Sequence, residues 1–148
     1  ETTNFNFVPQ AGYFLSDNTS LGVFLNISNS KTEGGGFTND RDLFQFGVFT
    51  RFHKSVAEKF YLFLQPSLSF GSGTIERNGT TTDLNTTDIQ VSPGAIYFLS
   101  PKLAMEMRAG SVFYSQIKEE TNGTEVDINN SGLNFNLASV SLRFNFYW

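Results

Sequence analysis

The chain contains no cysteine, and only one histidine, one tryptophan and four prolines among its 148 residues. Without cysteine there is neither a disulfide framework nor a thiolate metal site. Charge is also scarce: ten Lys and Arg against fourteen Asp and Glu, 16% of the chain, with a net charge of −4. No basic patch is present to neutralise phosphates, which argues against nucleic acid as a partner. No run of 18 apolar residues exists, so no helix of the required length can cross a bilayer. What is abundant is phenylalanine, 17 residues of it. Many aromatics with a mean hydropathy of only −0.20 suit a chain whose side chains meet lipid at every second position.

The dominant pattern has a period of two. In 42–53, Phe44, Phe46, Val48, Thr50 and Phe52 share one parity; Gln45, Gly47, Arg51 and His53 share the other, with Phe49 among them. Residues 60–72 repeat it, with Phe60, Leu62, Leu64, Pro66, Leu68 and Phe70 opposed to Tyr61, Phe63, Gln65, Ser67, Ser69 and Gly71. Such alternation reads as strand. Seven segments show it: roughly 3–16, 20–31, 41–53, 59–73, 87–100, 103–118 and 131–148. Connections at 17–19, 54–58 and 100–102 are short. Those expected at 32–40, 74–86 and 119–130 are longer and rich in Gly, Thr and Asn. Short turns at one end and long loops at the other fit a membrane barrel, with the short turns periplasmic and the loops extracellular.

The faces can be told apart by an independent test. Leaving out the two residues at each segment end, the charged side chains are Arg51, Glu106, Arg108 and Arg143, and all four fall on the parity opposite the apolar set. A random outcome would have a chance of about one in sixteen, parity being two-valued. Asn6, Gln10, Asn26, Gln45, Gln65 and Gln90 join them. A face this polar is no soluble core, so the apolar face is expected outside. The expected fold is all-β, a membrane-spanning antiparallel up-and-down barrel forming a single domain over 1–148. Eight strands are expected with seven present, because closure needs an even number; the N-terminal strand is the one expected to be missing. Leu133, Phe135 and Leu137 have the wrong parity for Val140 to Trp148, which predicts a bulge near Ala138-Ser139. Pro9, Pro66 and Pro93 fall on the lipid parity and predict bulges or strand ends.

The unit Pro9 to Val23, its echo Pro93 to Met107, and the C-terminal Ser141-Leu142-Arg143-Phe144-Asn145-Phe146-Tyr147-Trp148 resemble small outer-membrane barrels of Bacteroidota type, in the OmpX/OmpA-like superfamily. The resemblance implies a bacterial outer-membrane location among lipid and lipopolysaccharide. It also implies that Phe144, Phe146 and Trp148 form the signal read by the barrel-assembly machinery. Members of that superfamily begin with a strand ahead of the Pro9 unit.

Little in the sequence points to chemistry. His53 lies beside a short turn without a carboxylate at a matching level, so a solvated turn residue is expected rather than a triad member. Arg51, Glu106, Arg108 and Arg143 are expected to form a lumenal charge network that fills a narrow barrel. Asp127-Ile128-Asn129-Asn130-Ser131-Gly132 imitates the start of a calcium loop, but position twelve is Ala138, so the bidentate Glu is missing. No catalytic residue, metal site or cofactor is expected. The expected role is structural: a barrel without an open pore, or an accessory subunit of a larger envelope complex. The alternatives are a surface binding module acting through the long loops and, behind it, a lipid-modifying enzyme.

Overall fold

A computed structural model describes residues 2–34, 37–121, 123–134 and 141–146, with side chains left undescribed at 37, 134 and 141–146. Ten strands form one antiparallel sheet: β1 (Thr2–Phe7), β2 (Gln10–Ser16), β3 (Thr19–Gly34), β4 (Phe37–Ala57), β5 (Phe60–Arg77), β6 (Thr80–Phe98), β7 (Leu103–Arg108), β8 (Ser111–Thr121), β9 (Thr124–Asn134) and β10 (Ser141–Phe146). β1 and β2 both pair with β3, β7 and β8 both pair with β6, and β10 and β9 pair with β7 and β8. The ten strands therefore make seven up-and-down ribbons, one for each alternating segment of the sequence. The ribbons are bent into a tight curl. Arg108 on the sixth reaches Gln10 on the first at 3.3 Å, and Arg51 on the third reaches Glu106 on the sixth at 2.8 Å. Among the described residues the first and seventh ribbons do not pair with each other.

The long loops expected at one end are instead strand. β3 and β4 pair out to Gly34↔Phe37, β5 and β6 to Arg77↔Thr80, and β8 and β9 to Thr121↔Thr124. The connections at both ends are therefore tight. The physical reason lies in two dipeptides. Asn78 and Gly79 have φ of 48° and 81°, and Gly123, after Asn122, has φ of 78°. Asn78-Gly79 supplies the left-handed pair that a two-residue hairpin needs, and the flanking threonines suit an extended ribbon.

Of the prolines, Pro66 differs from expectation, whereas Pro9 falls between the end of β1 and the start of β2. Register is unbroken across Pro9, since Phe7↔Ile27 continues as Gln10↔Phe24. Across Pro66 the β4 ladder skips two pairs and resumes without a shift. Neither is a bulge; each residue removes a donor and leaves the alternation intact. The shift occurs beside Pro93. Gly94 pairs with Arg108 and Val91 with Val112, so the sixth ribbon carries one extra residue there, at Ala109-Gly110. Gly110 supplies the positive φ of 78° that this bulge uses. The bulge expected near Ala138-Ser139 lies outside the described residues.

The alternation sorts the sheet into two faces, and along β4, β5 and β6 the outward face changes character partway. Nearer the short turns the outward row of β4 is Phe44, Phe46, Val48, Thr50 and Phe52, and those of β5 and β6 include Leu62, Leu64, Phe70, Ile89 and Tyr97. The large members stand roughly half exposed, Phe44 at 49% and Phe70 at 56%. Farther along, the same outward rows become Asp42 and Asp40, Ser72, Thr74 and Glu76, and Thr87, Asn85 and Asp83. At that level the inward rows each carry one large apolar side chain, Leu43, Ile75 and Leu84, the last two 6% and 1% exposed. No register shift separates the two zones of β5 and β6.

Inside the curl, four phenylalanines sit opposite glycines as register partners: Phe49↔Gly22, Phe24↔Gly47, Phe63↔Gly94 and Phe113↔Gly132. A methyl group added at Gly22, Gly47 or Gly94 would overlap the facing ring. Each of these glycines is therefore a recess that lets a ring lie flat across the neighbouring strand.

Candidate functional site

The inward side chains form layers. At the short-turn end Phe63, Ile96 and Ala104 make an apolar cluster, flanked by Tyr61 and Phe98. The next layer holds charge. Arg51 is 4% exposed and Glu106 fully buried. Arg51 donates through Nη1 to Glu106 Oε2 at 2.8 Å, and through Nε and Nη2 to Gln65 Oε1 at 2.9 and 2.6 Å. Arg108 donates through Nε to the other carboxylate oxygen of Glu106 at 2.6 Å, and through Nη2 to Gln65 at 3.1 Å and to Gln10. The Arg51 guanidinium also lies 4.3 Å from the centroid of the Phe63 ring, a cation–π contact.

Three of the four residues of the expected charge network are thus in direct contact. Parity placed them on one face, but only the stagger of the ribbons brings positions 51, 106 and 108 to one level. The register sets Arg143 opposite Glu106; its side chain is outside the described residues. Phe144 and Phe146 are set opposite Met105 and Leu103, and Trp148 lies outside the described residues. A buried carboxylate between two guanidiniums is a satisfied polar plug. Its charged hydrogen bonds offset much of the cost of removing the three ions from water.

Above the charged layer the lumen holds a cavity of about 400 Å³. Asn6, Gln10, Asn26, Gln45, Gln65 and Gln90 line it, together with Asp88, Phe24 and Phe113. Asn26 donates to Gln45 at 2.7 Å, and Gln45 donates to Asp88 at 2.6 Å. Among the described residues, Asn26 Oδ1 is buried without a partner. The sequence put these amides on the inner parity; it gave no sign that they leave a space rather than fill it.

His53 is not a solvated turn residue. β4 continues past it to Ala57, and its ring is half-buried against Phe14 at 5.3 Å between centroids. Among the described residues Nδ1 is buried with no hydrogen-bond partner, and none of them orients the ring through that nitrogen, as a triad would need. The calcium-loop imitation lies in β9, in continuous register with β8, where Asp127 lies 3.6 Å from Lys118. No cluster of three or more His, Asp or Glu able to hold a metal ion occurs among the described residues. In comparisons with known proteins, no family model, no curated protein and no solved structure matches this chain.

Proposed function

We propose that the chain is a small integral outer-membrane barrel with a structural or accessory role in the bacterial envelope, akin to the OmpX/OmpA-like barrels of Bacteroidota. The observation that carries this reading is the apolar outward row beside a lumen containing a buried carboxylate and two guanidiniums. In water, folding would hide the rings and expose the charges; here the arrangement is reversed, as hydrocarbon demands. Phe44 to Phe52 covers roughly 27 Å of strand at ~3.4 Å per residue. At a tilt near 40° this is roughly 21 Å of depth, close to the ~25 Å apolar band of such barrels. The polar outward rows beyond it then stand in water. Layers of side chains in the lumen argue for a plug rather than an open pore.

The first and seventh ribbons run in the same direction, because each ribbon is antiparallel to the next. Joining them directly would make a parallel seam, whereas one more strand running the opposite way completes an antiparallel barrel. That is the basis for proposing an eighth strand. Extraction tests the membrane reading: membranes expressing the chain are washed in carbonate and urea, then solubilised with detergent. Retention through the washes and release only by detergent is expected. A monodisperse protein in buffer without detergent would overturn it. A second reading, surface binding, is favoured by the hairpins that project beyond the apolar band with ion pairs such as Lys118–Glu125 on their skin. Shortening the β8–β9 hairpin without loss of folding, but with loss of a bound partner, would select it.

A further inference from the structure

The geometry points to the lumenal cavity as a binding site for a small neutral saccharide. Its wall carries side-chain amides from five of the seven ribbons, Asn6 and Gln10 on the first, then Asn26, Gln45, Gln65 and Gln90. An amide presents donors and an acceptor in one plane. Vicinal hydroxyls, each able to donate and accept, are its natural complement. Phe24 and Phe113 face the same space and offer flat apolar surfaces to the C–H faces of a sugar ring. Phe24 lies in the space left by Gly47 opposite it.

The charges in the wall already have partners. Arg108 is bonded to Glu106, Gln65 and Gln10, and Asp88 accepts from Gln45. A charged ligand would have to break one of these bonds, which selects an uncharged one. A volume of about 400 Å³ falls at the small end of ligand sites, roughly 300–1,000 Å³, which suits one or two sugar rings. This inference does not depend on where the protein resides, so failure of the extraction test leaves it standing, and the reverse is also true.

The test uses the full chain folded in an amine-oxide detergent, since a glycoside detergent would compete. Glucose, galactose, mannose and maltose are each titrated at millimolar concentrations, read by saturation-transfer NMR, with gluconate and glucosamine as charged counterparts. Saturable transfer to at least one neutral sugar is expected, at least tenfold stronger than to its charged counterpart. Asn26→Leu and Gln90→Leu should each weaken it tenfold or more, while Lys118→Ala, on the outer skin, leaves it unchanged. Two variants on different ribbons guard against one that fails to fold, and folding is checked by the gel shift between unheated and boiled samples. Absence of saturable transfer from all four sugars with folded protein, or transfer that both leucine variants retain, would overturn the proposal.

Discussion

Replacing Glu106 by alanine is expected to be among the most damaging single changes in this chain. Its two carboxylate oxygens receive Arg51 at 2.8 Å and Arg108 at 2.6 Å, and the residue is fully buried. Glu106→Ala removes the carboxylate that lies between the Arg51 and Arg108 guanidiniums. Removing one partner of a buried ion pair costs about 3–5 kcal/mol, because the remaining charge stays desolvated. At a urea slope of ~2 kcal/mol/M, the folding midpoint should fall by roughly 2 M. The assay is folding into lipid vesicles across a urea series, scored by the mobility difference between unheated and boiled samples. A companion variant, Arg51→Met with Glu106→Leu, removes the carboxylate and one guanidinium together. It should recover a large part of the loss, since a buried pair exchanged for apolar residues is often close to neutral. If Glu106→Ala unfolds at the wild-type midpoint, the charged layer contributes nothing and the plug interpretation fails.

Other substitutions probe the remaining features. Gly94→Val forces a side chain into the Phe63 ring and should cost about 1–3 kcal/mol by overpacking, read as a lower urea midpoint. Val48→Arg, at the centre of the outward row of β4, should cost about 2–4 kcal/mol in lipid. Thr74→Arg, farther along β5, should stay within about 0.5 kcal/mol; equal effects at the two sites in the same vesicle assay would contradict the placement of the apolar band. Asn78→Ala keeps a positive φ of 48° on a residue that disfavours it, with an expected loss of about 1 kcal/mol. Asn78→Gly should show no such loss.

Much of the fold was legible because period two is a local signal. Phe44 to Phe52 and Leu62 to Phe70 show it within a dozen residues, and the parity of Arg51, Glu106 and Arg108 follows from counting alone. The inversion of faces was harder to see. A reader who takes apolar parity as one constant stripe loses the strand at Asp42, Thr74 or Thr87, where polar residues move to the outer row and Ile75 or Leu84 takes the inner one. Hairpin ends of this kind read as loops from parity alone, and the turn signals Asn78-Gly79 and Asn122-Gly123 are what mark them. The cavity depends on stagger, ring orientation and glycine recesses across several ribbons, none of which is encoded in any single segment. The surroundings of His53 are hidden in the sequence because the Lys54-Ser55 stretch after it lacks the alternation, yet β4 continues to Ala57.

The reversal of faces along β4, β5 and β6 bears on how the protein would sit in a bilayer. Sliding outward by a single pleat would strand phenylalanines in water. Sinking by the same step would drag Asp42 and Ser72 toward acyl chains. Tyr13 and Tyr97 mark the opposite rim, where a phenol prefers the headgroup zone. Pinned at both rims, such a molecule has one favoured immersion depth, and whatever its projecting hairpins touch would be met at a set height above the lipid.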